Sequence, residues 1–293
     1  MQTQTLASLT LVGATSVWGL YWVPLYYLEA QGMHGMMAMV SLNLAPAIVM
    51  LIAAFGFGPK QPNAMRALYV GVIAGLGFGL YSAGIVYGSV VRATLLFYLT
   101  PIWSTLISII VLSERVTWRR WLAIGIGLSG VALLVGTSEQ NGFNLGDAFA
   151  LASGFAWAVA AVLIKRSPEL PLRAMTGAQF LTITLLGIGI AAVMGVEWPS
   201  LSLITRSLPI ASAVSLLVFI PSAFAIFWAQ KHVFPGRAGL LMMSEVLVAV
   251  ISASIFLPEE RLGLVQWIGA VMIVGTFFIE TVSLPAAKRR QAP

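Results

Sequence analysis

Residues 238–256 read AGLLMMSEVLVAVISASIF, an apolar run whose one charged residue, Glu245, lies near its middle. A helix needs about 20 predominantly apolar residues to cross a bilayer, so this run predicts a membrane-spanning helix. Runs of the same kind recur along the chain between short polar breaks. Hydrophobic residues make up 59% and charged residues 9% of the 293 positions, whereas about a quarter of a soluble domain is charged. The sequence therefore predicts an all-α membrane protein.

The apolar runs predict ten transmembrane helices. Their expected bounds are 6–28, 35–57, 67–87, 91–112, 118–135, 147–164, 172–193, 208–230, 238–256 and 262–282. The weakest break is 88–92, and a single bent helix there would reduce the count to nine. The polar stretch 136–144 is the best boundary between two halves, residues 1–138 and 139–293.

The distribution of basic residues tests this count, because Lys and Arg concentrate in short cytoplasmic loops. If the N-terminus is cytoplasmic, the ten spans leave only Arg92, Arg206 and Arg261 on the opposite side. A missing helix would invert every later loop and destroy this asymmetry. We therefore predict that both termini are cytoplasmic, including the short basic tail Lys288-Arg289-Arg290.

An internal repeat links the two halves. Glu114, Arg115 and Trp121 match Glu260, Arg261 and Trp267 at a shift of 146, and residues 13–18 resemble residues 152–157 at a shift of 139. Because each half contains an odd number of spans, the second half crosses the membrane in the opposite sense. Two inverted five-helix repeats around a central cavity are typical of secondary transporters that work by alternating access.

A proline-centred fourth span, Thr100-Pro101-Ile102, precedes the link at Glu114 and Arg115. With these features and the paired halves, the chain resembles the EamA-type branch of the drug/metabolite transporter superfamily, particularly the bacterial amino acid exporters, including those for aromatic amino acids. The resemblance implies a cavity lined by spans one, three, four, six, eight and nine, and export across the bacterial inner membrane. One departure is Leu247, which occupies the position that repeats Pro101.

Glu245 is the most informative candidate site residue. A carboxyl group within a span is costly and normally faces a cavity or a partner. Three interpretations remain open from the sequence. The side chain binds the amino group of a substrate, exchanges a coupled proton, or forms a neutral or hydrogen-bonded structural contact.

Aromatic residues at matching places in the two halves are the other candidates for the cavity wall. Trp18 matches Trp157, Tyr81 matches Phe227, and Tyr98 matches Ser244. Trp22 follows Trp18 by one helical turn and is expected on the same face. An aromatic cavity with a few polar groups suits an amino acid with an apolar side chain. The alternative for each of these residues is ordinary helix packing.

Proline and glycine mark positions where helices can bend or approach closely. Pro101 and Pro221 interrupt backbone hydrogen bonding within their spans and are predicted hinges. Span three carries small residues that should leave it nearly bare on one side, allowing a neighbouring helix to pack closely. These residues are Gly75, Gly77, Gly79 and Gly84.

Several classes of function are excluded or disfavoured. The chain has no Cys and two His, so we expect no metal site, and no motif predicts a cofactor or an enzyme. The basic residues lie at span ends, which indicates contact with lipid and not nucleic acid. We expect a monomer that exports amino acids or similar small metabolites. The alternatives are export of drugs or nucleosides and, more remotely, a membrane scaffold that transports nothing.

Overall fold

The computed structural model describes residues 2–56, 61–112, 118–136, 142–233 and 235–281. Within these ranges the chain is helical and contains no β-strand. The helices are α1 (Gln2–Trp18), α2 (Trp22–Ala30), α3 (Gly35–Phe55), α4 (Ala64–Tyr87), α5 (Val90–Phe97), α6 (Thr100–Leu112), α7 (Trp118–Gly136), α8 (Leu145–Arg166), α9 (Leu172–Val193), α10 (Leu201–Val214), α11 (Ile220–His232), α12 (Pro235–Leu241), α13 (Met243–Phe256) and α14 (Leu264–Thr281). A π-helical turn, Ser215–Phe219, joins α10 to α11, and a 3-10 helix, Pro258–Glu260, follows α13.

Seven helical segments of the described chain are long and apolar enough to cross a membrane. They are Thr3–Ala30, Gly35–Phe55, Ala64–Tyr87, Val90–Val111, Leu145–Arg166, Leu172–Val193 and Leu201–His232, and the shorter apolar helices are Met243–Phe256 and Leu264–Gly275. The prediction of an all-helical membrane protein is therefore confirmed. The segment expected from residue 208 begins earlier, because Ser200 caps α10 by accepting a hydrogen bond from the Leu203 amide at 3.3 Å.

The chain reverses direction between α4 and α5. Gly77 and Gly84 of α4 pack on Trp157 and Ala150 of α8, so these two helices are antiparallel. Contacts of Arg92 with Asp147 and of Phe97 with Gly154 make α5 parallel to α8. Ser89 begins the new helix by accepting a hydrogen bond from the Arg92 amide at 3.1 Å. The alternative of a single bent helix at this junction is therefore wrong.

The glycines of α4 serve two faces of the helix and not the single face that was expected. Gly71 and Gly75 lie against α9, where an added Cβ would sit 2.3 Å from the Met175 carbonyl oxygen and 2.6 Å from that of Gln179. Gly77 lies against Trp157 of α8. Their spacing explains the split, because residues four apart share a helical face whereas residues two apart do not. Helix α4 is thus held closely between α8 and α9.

Several membrane segments are interrupted. The first segment is broken between α1 and α2 at residues 19–21, and the fourth is broken between α5 and α6 at 98–99. The apolar segment near the C-terminus is broken between α12 and α13 at Met242. Pro101 lies just beyond the second break, whereas no proline lies at Met242. The π-helical turn ends at Phe219, two residues before Pro221. These interruptions bring irregular backbone into the interior of the helical bundle, where it can be satisfied by protein contacts.

Candidate substrate site

Two of the broken helices meet at their breaks. The hydroxyl of Tyr98, at the end of α5, contacts the carbonyl oxygen of Met242, the residue that separates α12 from α13. The same hydroxyl lies 3.0 Å from Oε2 of Glu245 in the first turn of α13. Because breaks expose backbone polar groups, their juxtaposition creates a polar point inside an apolar bundle.

Glu245 is buried at this point, with a side chain only 1% exposed. Its Oε1 atom has no hydrogen-bond partner in the described protein. The Tyr98 hydroxyl carries one hydrogen yet contacts two acceptors, the Met242 carbonyl and Glu245 Oε2. The hydroxyl is the donor in both contacts, and one hydrogen can be shared between two acceptors. The packed arrangement therefore leaves Glu245 with one carboxyl oxygen that has no partner among the described residues.

Helix α1 reaches Glu245 through a glycine. A Cβ added to Gly19 would lie 2.6 Å from the Glu245 carbonyl oxygen and 2.9 Å from Cβ of Val248. Only glycine permits this approach of the end of α1 to α13 without displacement of the backbone. The contact joins the segment that carries Trp18 to α13.

A row of aromatic rings extends from Trp18 across the bundle. Its centroid lies 4.7 Å from that of Phe78, which lies 4.6 Å from that of Trp157. Trp157 in turn stacks with Phe227 at 6.3 Å. All four side chains are buried. The two matching tryptophans are thus joined through one phenylalanine.

A second arm of rings connects this row to Glu245. Phe97 lies 5.1 Å from Tyr81 and 5.2 Å from Tyr98 between ring centroids, and it also approaches Phe78 at 6.4 Å. The Tyr81 hydroxyl is 2.8 Å from Oγ1 of Thr94. The aromatic row and the buried carboxyl therefore form one continuous cluster.

Four members of this cluster were not predicted from the sequence. Phe78 and Phe97 join the predicted residues, while Tyr21 and Phe219 stack on Trp18 at centroid distances of 5.7 and 5.1 Å. Phe78 precedes Tyr81 by three residues on the same helix, a spacing that places both on one face. That signal was available for Phe78. The position of Phe219 depends on the π-helical turn, which the residue pattern does not indicate.

Two predicted residues do not join the cluster. Trp22 was expected on the same face as Trp18, but α1 ends at Trp18 and Trp22 begins a new helix. Its indole Nε1 instead donates to Oγ of Ser252 at 3.1 Å. Ser244 binds α1, with its hydroxyl 2.8 Å from that of Thr15 and 3.0 Å from the Val12 carbonyl oxygen. Both residues attach α13 to the first segment and do not line the aromatic row.

The cluster also contains an unused donor. The indole Nε1 of Trp18 is buried without a hydrogen-bond partner among the described residues. An indole nitrogen can only donate, whereas the free Glu245 oxygen can accept. In the part of the chain that the structure describes, no group of three or more His, Asp or Glu side chains is arranged for a metal ion. The cluster thus combines apolar rings with one unpartnered donor and one unpartnered acceptor.

Discontinuous helices that meet at a buried polar point within a multi-pass bundle are characteristic of membrane transporters. The sequence profile of the EamA-like transporter family matches the chain twice, over residues 5–136 and 144–281. The chain therefore belongs to the EamA-like transporter family, whose members are transporters and not enzymes.

Two curated relatives agree with this assignment. An uncharacterized transporter from Archaeoglobus fulgidus is 30% identical over 246 residues, covering 80% of this chain and 85% of that protein. The uncharacterized transporter YyaM from Bacillus subtilis is 24% identical over 245 residues, covering 79% of each chain. A solved structure described only as a crystal structure of a protein is 19% identical with a TM-score of 0.63, covering 94% of this chain and 98% of that one. This last likeness concerns the fold alone.

Proposed function

We propose that this transporter is a monomeric secondary transporter that exports amino acids, aromatic or otherwise apolar, or similar small metabolites across the bacterial inner membrane. The observation that carries the proposal is the meeting of two broken helices at Tyr98, Met242 and Glu245. The free Glu245 oxygen would accept from the substrate ammonium group, and the neighbouring rings would hold its side chain.

The proposed alternating-access architecture consists of two inverted five-helix halves with ten spans, and two findings support this part of the proposal. One family profile matches each half separately, over residues 5–136 and 144–281. In addition, a broken segment of the first half meets a broken segment of the second half at Tyr98 and Met242. Similar halves on either side of one site can rock to open it to each face in turn.

The described contacts also support the proposed topology. The helix connections near Val90, Gly146 and Glu260 lie together at one end of the bundle. Lys165 lies at the second end of the bundle, because α8 runs from Gly146 to it. Its Nζ atom is 3.4 Å from the Lys231 carbonyl oxygen. The Lys231 ammonium binds the Leu170 carbonyl. Basic residues at the second end suit a cytoplasmic face, with both termini on that side.

The test is counterflow of labelled Phe, Met or Thr into liposomes that contain the purified protein. Glu245→Gln should abolish amino acid counterflow while the protein still inserts, because the amide cannot neutralise an ammonium group. The matched control is Glu197→Gln, which changes an exposed carboxyl after α9 and should leave counterflow unchanged. Transport of nucleosides or drugs without amino acids would correct the substrate. No counterflow across a broad metabolite panel would favour the scaffold alternative.

A further inference from the structure

The start of α5 is held by two segments of the second half of the chain. Oε1 and Oε2 of Glu260, in the 3-10 helix after α13, accept hydrogen bonds from the amides of Val90 and Val91 at 2.6 and 3.2 Å. One turn along, Nε of Arg92 donates to Oδ1 of Asp147 at 3.0 Å. All of these residues are buried. The first turn of α5 is thus enclosed from two sides at one end of the bundle.

The same helix leads directly to the candidate site. Thr94 lies one turn below Val90 and contacts Tyr81, while Tyr98 at the far end contacts Glu245. At about 1.5 Å per residue, the distance along the helix from Val91 to Tyr98 is roughly 10 Å. Glu245 and Glu260 therefore engage opposite ends of one helix. A movement of the first turn of α5 would be transmitted to the site.

The two contacts at the start of α5 differ in kind. The Arg92–Asp147 pair belongs to a longer interface in which the Phe97 carbonyl also packs closely on Gly154 of α8. It therefore holds α5 and α8 together as one unit. The Glu260 contact depends on one side chain reaching from a three-residue turn to backbone amides. The first amides of a helix have no partner within it, so water can replace the carboxylate when the turn moves away.

We propose that Glu260 is the outer latch of the transport cycle, a contact that closes the path to the aromatic cluster from the outer face and releases when that face opens. This inference rests on the proposed alternating-access function. It assigns the carboxyl a conformational role that is separate from substrate binding. Loss of the latch should favour the outward-open conformation.

The protein contains no cysteine, so one introduced thiol reports on this path without background. Thr94→Cys places a thiol at a fully buried position just below the latch. A membrane-impermeant maleimide added from the outer side should label it slowly. In the Glu260→Ala background, we expect labelling to be at least tenfold faster. Ser202→Cys, at an exposed position near the start of α10, should label rapidly in every background.

Two further variants separate a latch from a general loss of structure. Glu259→Ala removes the exposed neighbouring carboxyl and should leave labelling slow. Glu260→Asp keeps the charge but shortens the side chain, so it should engage fewer amides and give an intermediate rate. If Glu260→Ala does not fold, the comparison of Glu260→Asp with Glu259→Ala supplies the test. Equal labelling rates for these two variants would overturn the latch.

Counterflow measured on the same samples distinguishes the two proposals. Faster labelling in Glu260→Ala supports the latch even if no metabolite is transported by the parent protein, in which case the proposed function fails. Unchanged labelling in Glu260→Ala overturns the latch, while amino acid counterflow by the parent protein would still support the proposed function.

Discussion

Arg92 and Asp147 form a buried ion pair that joins the first turn of α5 to the first turn of α8. Asp147 also completes the cap of α8, since it accepts from the Asn144 amide at 3.0 Å and donates its own amide to the Asn144 side chain. Arg92 additionally donates to the Gly142 carbonyl oxygen at 3.1 Å. One pair therefore fixes the boundary between the two proposed halves to the helix that leads into the candidate site.

Removal of Arg92 should destabilise the protein strongly. Breaking a buried pair by removing one partner costs about 3–5 kcal/mol, because the remaining charge stays buried without compensation. We expect Arg92→Ala to lower the thermal unfolding midpoint in detergent by several degrees and to reduce the yield of inserted protein. Arg261→Ala, which removes an exposed arginine nearby, is the control and should have little effect. Equal midpoints for the two variants would contradict a structural role for the pair.

The Tyr98 hydroxyl should matter for substrate affinity more than for folding. Tyr98→Phe leaves Glu245 without its one observed side-chain partner. Hydrogen bonds to charged groups contribute about 1.5–3 kcal/mol, so we expect roughly a tenfold or larger rise in the KM of counterflow. The aromatic contact with Phe97 remains in this variant. Tyr27→Phe, which removes an exposed hydroxyl from α2, should leave the KM unchanged, and an identical effect of both changes would argue against a site at Tyr98.

The close contact of α4 with α9 should tolerate no added methyl group at Gly71. A Cβ there would lie 2.3 Å from the Met175 carbonyl oxygen, which is backbone and cannot rotate away. Overpacking of this kind costs about 1–3 kcal/mol. We expect Gly71→Ala to lower the unfolding midpoint, whereas Gly189→Ala on α9, where a Cβ meets nothing within 4 Å, should not. A neutral Gly71→Ala would show that the two helices pack less closely.

Outer pH should influence the latch. Burial raises the pKa of Glu260 above its ordinary value of 4.5, and hydrogen bonds from Val90 and Val91 oppose that rise. A raised pKa means that the closed conformation binds the proton more tightly than a hydrated open one. Protonation of Glu260 therefore favours the closed conformation. This contribution is present at acid pH and is lost as the pH rises through the raised pKa of Glu260.

Lowering the outer pH towards the ordinary carboxyl range should accordingly slow maleimide labelling of Thr94→Cys, after correction for thiol reactivity with Ser202→Cys. Glu259 raises the Glu260 pKa further, so Glu259→Gln should move this dependence to lower pH. Glu260→Gln should remove it. A pH dependence that persists in Glu260→Gln would assign the effect to another group.

Part of the candidate site could be predicted from single residues, because a carboxyl or a tryptophan deep within a span is informative wherever it occurs. Glu245, Trp18 and Trp157 were found in this way. The prediction for Trp22 assumed that α1 continues beyond Trp18, which would put the two tryptophans on one helical face. In the structure α1 ends at Trp18. Ser244 followed from the repeat alone, and its hydroxyl instead serves the contact with α1.

Hydropathy by itself determined that this is an all-helical membrane protein, since every backbone group in lipid must be satisfied within a helix or by protein contacts. Which apolar faces meet was decided only by the tertiary structure. Lipid and helix interfaces are equally apolar, so residues that face lipid and residues that pack look alike in the sequence. Close packing at Gly19, Gly71 and Gly75 fixes which helix faces meet, and only the tertiary structure places Phe78 between two tryptophans and Glu260 on the start of α5.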